Sequence, residues 1–210
     1  MRSAWLDIPL ADYEGHMALP AIGQADMLAA LFAQCLEAWA PASVAVIGCA
    51  GGNGFDRLRT QVTTRVVGID INPHYLRELA NRYGGRFPGL ELYVRDIQEP
   101  AEPIAPVDFI YAALVFEYVA PAPVFRNLSA LCRPGGIVAT VLQLPADHAA
   151  PVSESPFTNL HRLAPAMRLV SPTVLTADAA RTGFRLLSSR LVQLSSGKEF
   201  AVQTFRSHDH

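Results

Sequence analysis

The chain has 210 residues, half of them hydrophobic and 17% charged, a composition that suits one folded domain with a full-sized core and excludes a disordered chain. A net charge of −2, with Lys and Arg spread along the sequence, leaves no electrostatic footprint for nucleic acid. The longest apolar run, residues 109–116, is too short to span a bilayer, the scattered Cys35, Cys49 and Cys132 suit a reducing compartment, and nothing after Met1 reads as a signal peptide, so the expected location is cytoplasmic.

Up to about Gly23 the sequence reads as irregular, rich in aromatic and polar residues. Leu28, Leu31, Phe32, Cys35, Leu36 and Trp39 then recur at helical spacing until Pro41 stops the helix. Its apolar stripe suits a homodimer contact and packing on a sheet equally. Residues 44–48 read as the first strand. A glycine-rich turn follows, Gly48-Cys49-Ala50-Gly51-Gly52-Asn53-Gly54, and then a short helix carrying Phe55 and Leu58. The second strand ends in Gly68-Ile69-Asp70. Asn72 is placed as the next helix's N-cap, Pro73 at its first position and Gly84 just past its end. Residues 90–94 read as strand three, closing in Arg95-Asp96, and residues 107–112 as a strand buried on both faces. A helix over about 121–132 leads to a turn, Arg133-Pro134-Gly135-Gly136, and to strand five at 137–144. Residues 145–170 show little periodicity and read as a long, lid-like loop. Ser171-Pro172 opens the last helix and Gly183 closes it. Two strands, 184–194 and 198–206, are joined by the hairpin turn Ser195-Ser196-Gly197.

Alternating strands and helices predict an α/β fold: a Rossmann-like, doubly wound, mostly parallel seven-stranded sheet with right-handed crossovers. Three linking residues permit only an antiparallel hairpin for the last pair. The glycine turn and Asp70 form a βαβ unit suited to an adenosine-containing cofactor. Glycines let the backbone approach the ligand, and the carboxylate can bind both ribose hydroxyls. These residues alone leave open a nicotinamide dinucleotide or S-adenosylmethionine; the reversed closing strand argues for the second.

From about residue 43 to residue 206 the chain resembles the class I S-adenosylmethionine-dependent methyltransferases. The resemblance implies that Gly48, Cys49, Ala50, Gly52 and Asn53 surround the methionine part of the cofactor. Asp70 and Ile71 would lie at the ribose, Asp96 and Ile97 at the adenine, and Ala113 and Leu114 at the end of strand four. Phe116-Glu117-Tyr118-Val119 resembles the family's strand-four ending, and Cys132-Arg133-Pro134-Gly135-Gly136 its turn before strand five. Two positions depart from the pattern. Val46 stands where the family commonly has an acidic residue. Ala50 replaces the central glycine, which a negative φ would tolerate. The implied cofactor is S-adenosyl-L-methionine, with S-adenosyl-L-homocysteine as product. The implied organisation is a single domain: an N-terminal flap and helix (1–42) and the methyltransferase domain proper (43–206), with the insertion at about 145–170.

Methyl transfer is an in-line displacement for which the protein mainly supplies alignment and a dry pocket. A general base helps only when the acceptor arrives protonated. The candidates are His16, Tyr13 and Glu117, then Glu14, His148 and His161. Imidazoles titrate near neutrality, and the family's glutamate at position 117 is often structural. No His, Cys, Asp or Glu cluster has metal-ligand spacing. The chain lacks an Asn/Asp-Pro-Pro-Tyr/Phe run and a Pro-Cys nucleophile after strand four. With no basic patch, the expected partner is a small molecule methylated at oxygen or nitrogen, and neither nucleic acid nor membrane. Two rivals stay open: a methyltransferase-like binding protein without activity, and an NAD(P)-dependent oxidoreductase, which lacks here any Tyr-x-x-x-Lys pair.

Overall fold

In a computed structural model, which describes residues 3–145 and 152–208, seven strands hydrogen-bond into one sheet. β1 (Ser43–Ile47), β2 (Arg65–Asp70), β3 (Leu90–Val94), β4 (Val107–Ala113) and β5 (Cys132–Gln143) pair in parallel. β6 (Phe184–Gln193) forms one edge, and β7 (Glu199–Ser207) lies antiparallel between it and β5. The order β3-β2-β1-β4-β5-β7-β6 is the predicted mostly parallel sheet with its closing hairpin. β1 sits between β2 and β4, so the chain leaves it in opposite directions on either side. That switch point opens a crevice at the carboxyl ends of β1 and β4.

Side chains alternate across each strand, and this splits the core in two. Val44, Val46, Phe109, Tyr111, Ala139 and Val141 face one way and are covered by α2 (Gln24–Trp39) and α3 (Pro73–Tyr83). Ala45, Ile47, Ile110, Ala112, Val138 and Leu142 face the other, under α4 (Pro121–Leu131) and α5 (Pro172–Arg181). The apolar stripe of α2 is thus spent on the sheet, through Leu28, Leu31, Phe32 and Leu36. Asn72 and Ser171 cap α3 and α5 with their side chains, as predicted, accepting from His74 N and Val174 N. Cys35, Cys49 and Cys132 are free thiols. Among the described residues no helix is long and apolar enough to cross a membrane.

Three expectations need correction. The N-terminal stretch is not irregular: it forms a 3-10 helix, Ala4–Asp7, and α1 (Leu10–Ala18). No side chain caps α1, and Gly15 lies inside it, so its local signals are weak; contacts with residues 155–159 hold it instead. Residues 133–136 are not a separate turn but a register shift inside β5, which pairs Cys132 with Val107 and then Ile137 with Phe109. The helix after the glycine turn is a single 3-10 turn, Phe55–Arg57.

The aromatic centre of the second core is Phe125, fully buried, with ring centroids 5.3 Å from Phe116 and 5.7 Å from both Phe184 and Phe205. It ties α4 to both strands of the hairpin. Phe125→Ala is expected to cost about 3–5 kcal/mol in urea unfolding. A loss under about 1 kcal/mol would show that the hairpin docks independently of that ring.

Candidate functional site

Asp70 ends β2 at the crevice and organises its floor. Its Oδ2 accepts the N–H of Ala50 at 2.9 Å and its Oδ1 that of Asn72 at 2.8 Å. One carboxylate thereby joins the glycine turn after β1 to the first turn of α3. Ala50 has φ +45°, so the negative φ that would make an alanine tolerable there is not what the chain adopts. Leu114, directly after β4, has φ +54°. Left-handed backbone costs a residue with a Cβ about 1–2 kcal/mol, and here two such residues flank one crevice, as strained backbone at functional sites often does. Gly48 has φ +65° and lies against Val115, where a Cβ would collide. Gly52 has φ +90° and lies against Tyr83. Cys49 is buried. Val46, at the departing position, is core packing on the α2 side of the sheet.

The other candidate cofactor contacts gather near the same strand ends. Asp96 Oδ1 accepts from the Gln98 N–H at 2.9 Å, and Gln98 Oε1 accepts from Ala120 N at 2.8 Å. Arg95 turns away to the Glu102 carbonyl and the Tyr93 ring. Ile97 is buried; Ile71, Ala113 and Leu114 are half-buried. Asn53 faces the start of α2, donating to the Ala25 carbonyl at 3.0 Å. These groups fit an adenosine-bearing cofactor. Asp70 and Asp96 are acceptors with lone pairs to spare, and they stand at neighbouring strand ends beside a turn with little side-chain bulk.

α1 lies over the crevice. Glu14 pairs with Arg82, whose Nη1 also donates to the Gly51 carbonyl at 3.2 Å. The preceding segment is pinned by Asn72 donating to the Trp5 carbonyl and Tyr75 donating to that of Ile8, each at 2.9 Å. α1 in turn grips residues 155–159. His16 Nδ1 meets Ser155 Oγ at 2.8 Å, Asn159 donates to Asp12, and the Phe157 ring fills the space a side chain at Gly15 would need. Beneath lies a pocket lined by Tyr13, His16, Leu114, Glu117, Gln143 and Lys198, with Trp5, Tyr118, Leu160, Leu163 and Met167.

The structure therefore brings together Tyr13, His16 and Glu117, the three foremost catalytic candidates. Glu14 is engaged by Arg82, His161 is exposed on the 3-10 helix Thr158–Leu163, and His148 lies outside the described residues. Gln143 and Lys198 were missed. Lys198 carries a legible signal: it is the only lysine among 17 basic residues, all others being arginine. Among the described residues no group of His, Cys, Asp and Glu is placed to hold a metal ion.

Burial dominates the electrostatics here. Tyr13 is pushed above its ordinary value by burial and by Asp70, Glu14 and Glu117, so it stays a neutral phenol. His16 is lowered by burial, with Lys198 and His161 adding to the shift, which favours neutral imidazole. Burial pulls Lys198 down to about 8, with Nζ 3.5 Å from Gln143 Oε1. Glu117 is pushed up to about 7 by burial, against the Gln143 N–H that donates to its Oε1 at 2.7 Å. Asp70 is raised by burial, opposed by the amides of Asn72, Ala50 and Ile71.

Two outcomes follow for stability. Glu117 holds its proton more tightly when folded, so its contribution is present below about pH 4.5 and is lost as pH rises through about 7. The gap in urea midpoint between wild type and Glu117→Gln should shift in the variant's favour across that window; a constant gap would refute the buried-acid assignment. Ala50→Gly is expected to gain about 1 kcal/mol by relieving the left-handed alanine. A loss on urea unfolding would mean that the methyl group contributes packing that outweighs the strain.

Residues 46–138 match a family model described as a methyltransferase domain. No curated protein sequence matches the chain. Solved structures share the fold at low identity. The N-methyltransferase NodS from Bradyrhizobium japonicum, in complex with S-adenosyl-L-homocysteine, is 17% identical, with a TM-score of 0.66 over 88% of this chain and 87% of that one. The [4+2]-cyclase SpnF is 15% identical, with a TM-score of 0.67 over 88% and 82%. An S-adenosylmethionine-dependent methyltransferase from Mesorhizobium loti is 18% identical, with a TM-score of 0.60 over 82% and 96%. Residues 46–138 thus match a methyltransferase domain, and this strand order, with its one reversed strand, is the Rossmann-like methyltransferase fold.

Proposed function

We propose that the chain transfers the methyl group of S-adenosylmethionine to an oxygen or nitrogen of a small organic acceptor held in the pocket beneath α1 and residues 152–167. The observation that carries this reading is the juxtaposition of two sites. The Asp70 crevice and the pocket share Leu114, the left-handed residue after β4. When bound, the cofactor supplies an electrophilic methyl on a sulfonium sulfur. Asp70 accepts from the ribose hydroxyls; Asp96 and the Ile97 amide meet the adenine edge. Gly48, Cys49, Ala50, Gly52 and Asn53 surround the methionine part, with Ile71, Ala113 and Leu114 as walls.

In this reading residues 3–42 and 152–170 form one cover over the rest of the domain at 43–206. Exposed ion pairs such as Glu14–Arg82 contribute at most about 1 kcal/mol, so the cover can open for exchange of ligands. Once closed, it excludes water from the reacting atoms, and the two strand ends set the line of approach. NodS, by its name, methylates nitrogen, which supports the nitrogen alternative here. Three free thiols suit a reducing compartment, consistent with the cytoplasm.

That a cyclase shares this sheet makes ligand binding, and not fold, the test. Calorimetric titration with S-adenosylhomocysteine, NAD+ and NADP+ in parallel should show binding of the first alone. Asp70→Asn should weaken it about tenfold or more while circular dichroism stays unchanged. Binding of a nicotinamide cofactor, or full affinity in the folded variant, would overturn the assignment.

A further inference from the structure

Glu117 has one oxygen with a structural task and one without. Oε1 accepts the Gln143 N–H and so ties the end of β4 to the end of β5. Oε2 is buried and has no hydrogen-bond partner among the described residues, in a side chain only 1% exposed. An unsatisfied buried acceptor costs about 1–3 kcal/mol, and such a cost calls for an explanation at a site. Glu117 lines the pocket together with three aromatic rings, Trp5, Tyr13 and Tyr118. Trp5 stands edge-on to both others, with centroids 5.4 Å from Tyr13 and 5.0 Å from Tyr118. Electron-rich ring faces and a carboxylate oxygen both favour a positively charged organic group over an anion.

Building on the acceptor pocket proposed above, we infer that the acceptor is an organic amine bound as its ammonium, with one N–H directed at Glu117 Oε2 and its carbon body against Trp5, Tyr13 and Tyr118. The proton on nitrogen then has a destination. The N–H bond breaks, the proton passes to Oε2, and the bonding pair stays on nitrogen as the lone pair a methyl acceptor requires. Ammonium and carboxylate become amine and carboxylic acid, with charge conserved, and Glu117 later returns the proton to water.

The groups facing Glu117 are consistent with this. Tyr13 and His16 come from α1, and both are held neutral near neutral pH by burial. Tyr118 is raised as well and stays a phenol. His161 reaches the pocket's field through His16. Lys198, beside Gln143, is the one cation lining the pocket among the described residues; it disfavours an acceptor carrying a second positive charge. Because burial pushes the empty site's carboxyl up to about 7, ammonium binding should expel a proton from Glu117.

The test is calorimetry on protein saturated with S-adenosylhomocysteine, using benzylamine, benzyl alcohol and phenylacetate as probes. Each is titrated near neutral pH in two buffers of different ionisation heat. Benzylamine should bind about tenfold more tightly than the alcohol or the acid, with net proton release. Glu117→Gln keeps an acceptor for the Gln143 N–H, so it should fold and bind S-adenosylhomocysteine within about twofold, yet lose both the preference and the proton release. Equal binding of the three probes, no heat with benzylamine, or an unchanged response in the variant would overturn the amine assignment and leave the cofactor reading standing. Failure of S-adenosylhomocysteine to bind wild type would overturn the cofactor reading itself.

Discussion

The functional end of this molecule hangs on the carboxylate of Asp70. At the tip of β2 it holds the Ala50 amide with one oxygen and the Asn72 amide with the other. The first bond fixes the glycine turn after β1 in a conformation that costs an alanine strain. The second sets the residue that caps α3 and also grips the Trp5 carbonyl. Floor, helix start and N-terminal cover therefore share one anchor. Burial raises the energy of that charge, and the backbone amides around it offset the cost. Such an arrangement holds the carboxylate in one orientation at the crevice.

A second constraint works from above. α1 carries no side-chain cap, and a glycine sits in its interior. Its contacts across long sequence distance compensate. Asp12, Gly15 and His16 lie on the side turned to residues 155–159, while Glu14 reaches back to Arg82 on α3. α1 and residues 155–159, read as parts of separate features from the sequence, are joined by these contacts. Ile8, Leu160 and Leu163 form a small apolar core of their own, with Trp5 and Tyr118 at the margin.

Beneath α1, the pocket gathers ionisable groups that water would normally keep charged. Burial drives Glu117 and Lys198 towards neutrality from opposite sides, which narrows the gap between their proton affinities. The Gln143 amide stands between them, donating from its backbone to Glu117 and facing Lys198 with its side-chain oxygen.

Much of this was legible in the amino-acid order. Short continuous apolar runs in β1, β2, β4 and β5, the caps at Asn72 and Ser171, and the three-residue link before β7 are local physics, and they determined the sheet, its reversed strand and the placing of Asp70 at a strand end. Local rules could not decide what depends on residues far apart in the chain. α1 looks irregular because its partners lie more than a hundred residues away. Ala50 reads as tolerable only at negative φ, and with its amide held by Asp70 of the neighbouring strand it lies at positive φ. Glu117 reads as structural, and its Oε1 is so; that Oε2 is left buried in a pocket follows only from β5, Lys198 and the cover closing around it. Sequence determines which backbone each segment prefers, whereas burial, which sets proton affinity and leaves an acceptor unsatisfied, exists only once distant segments have packed.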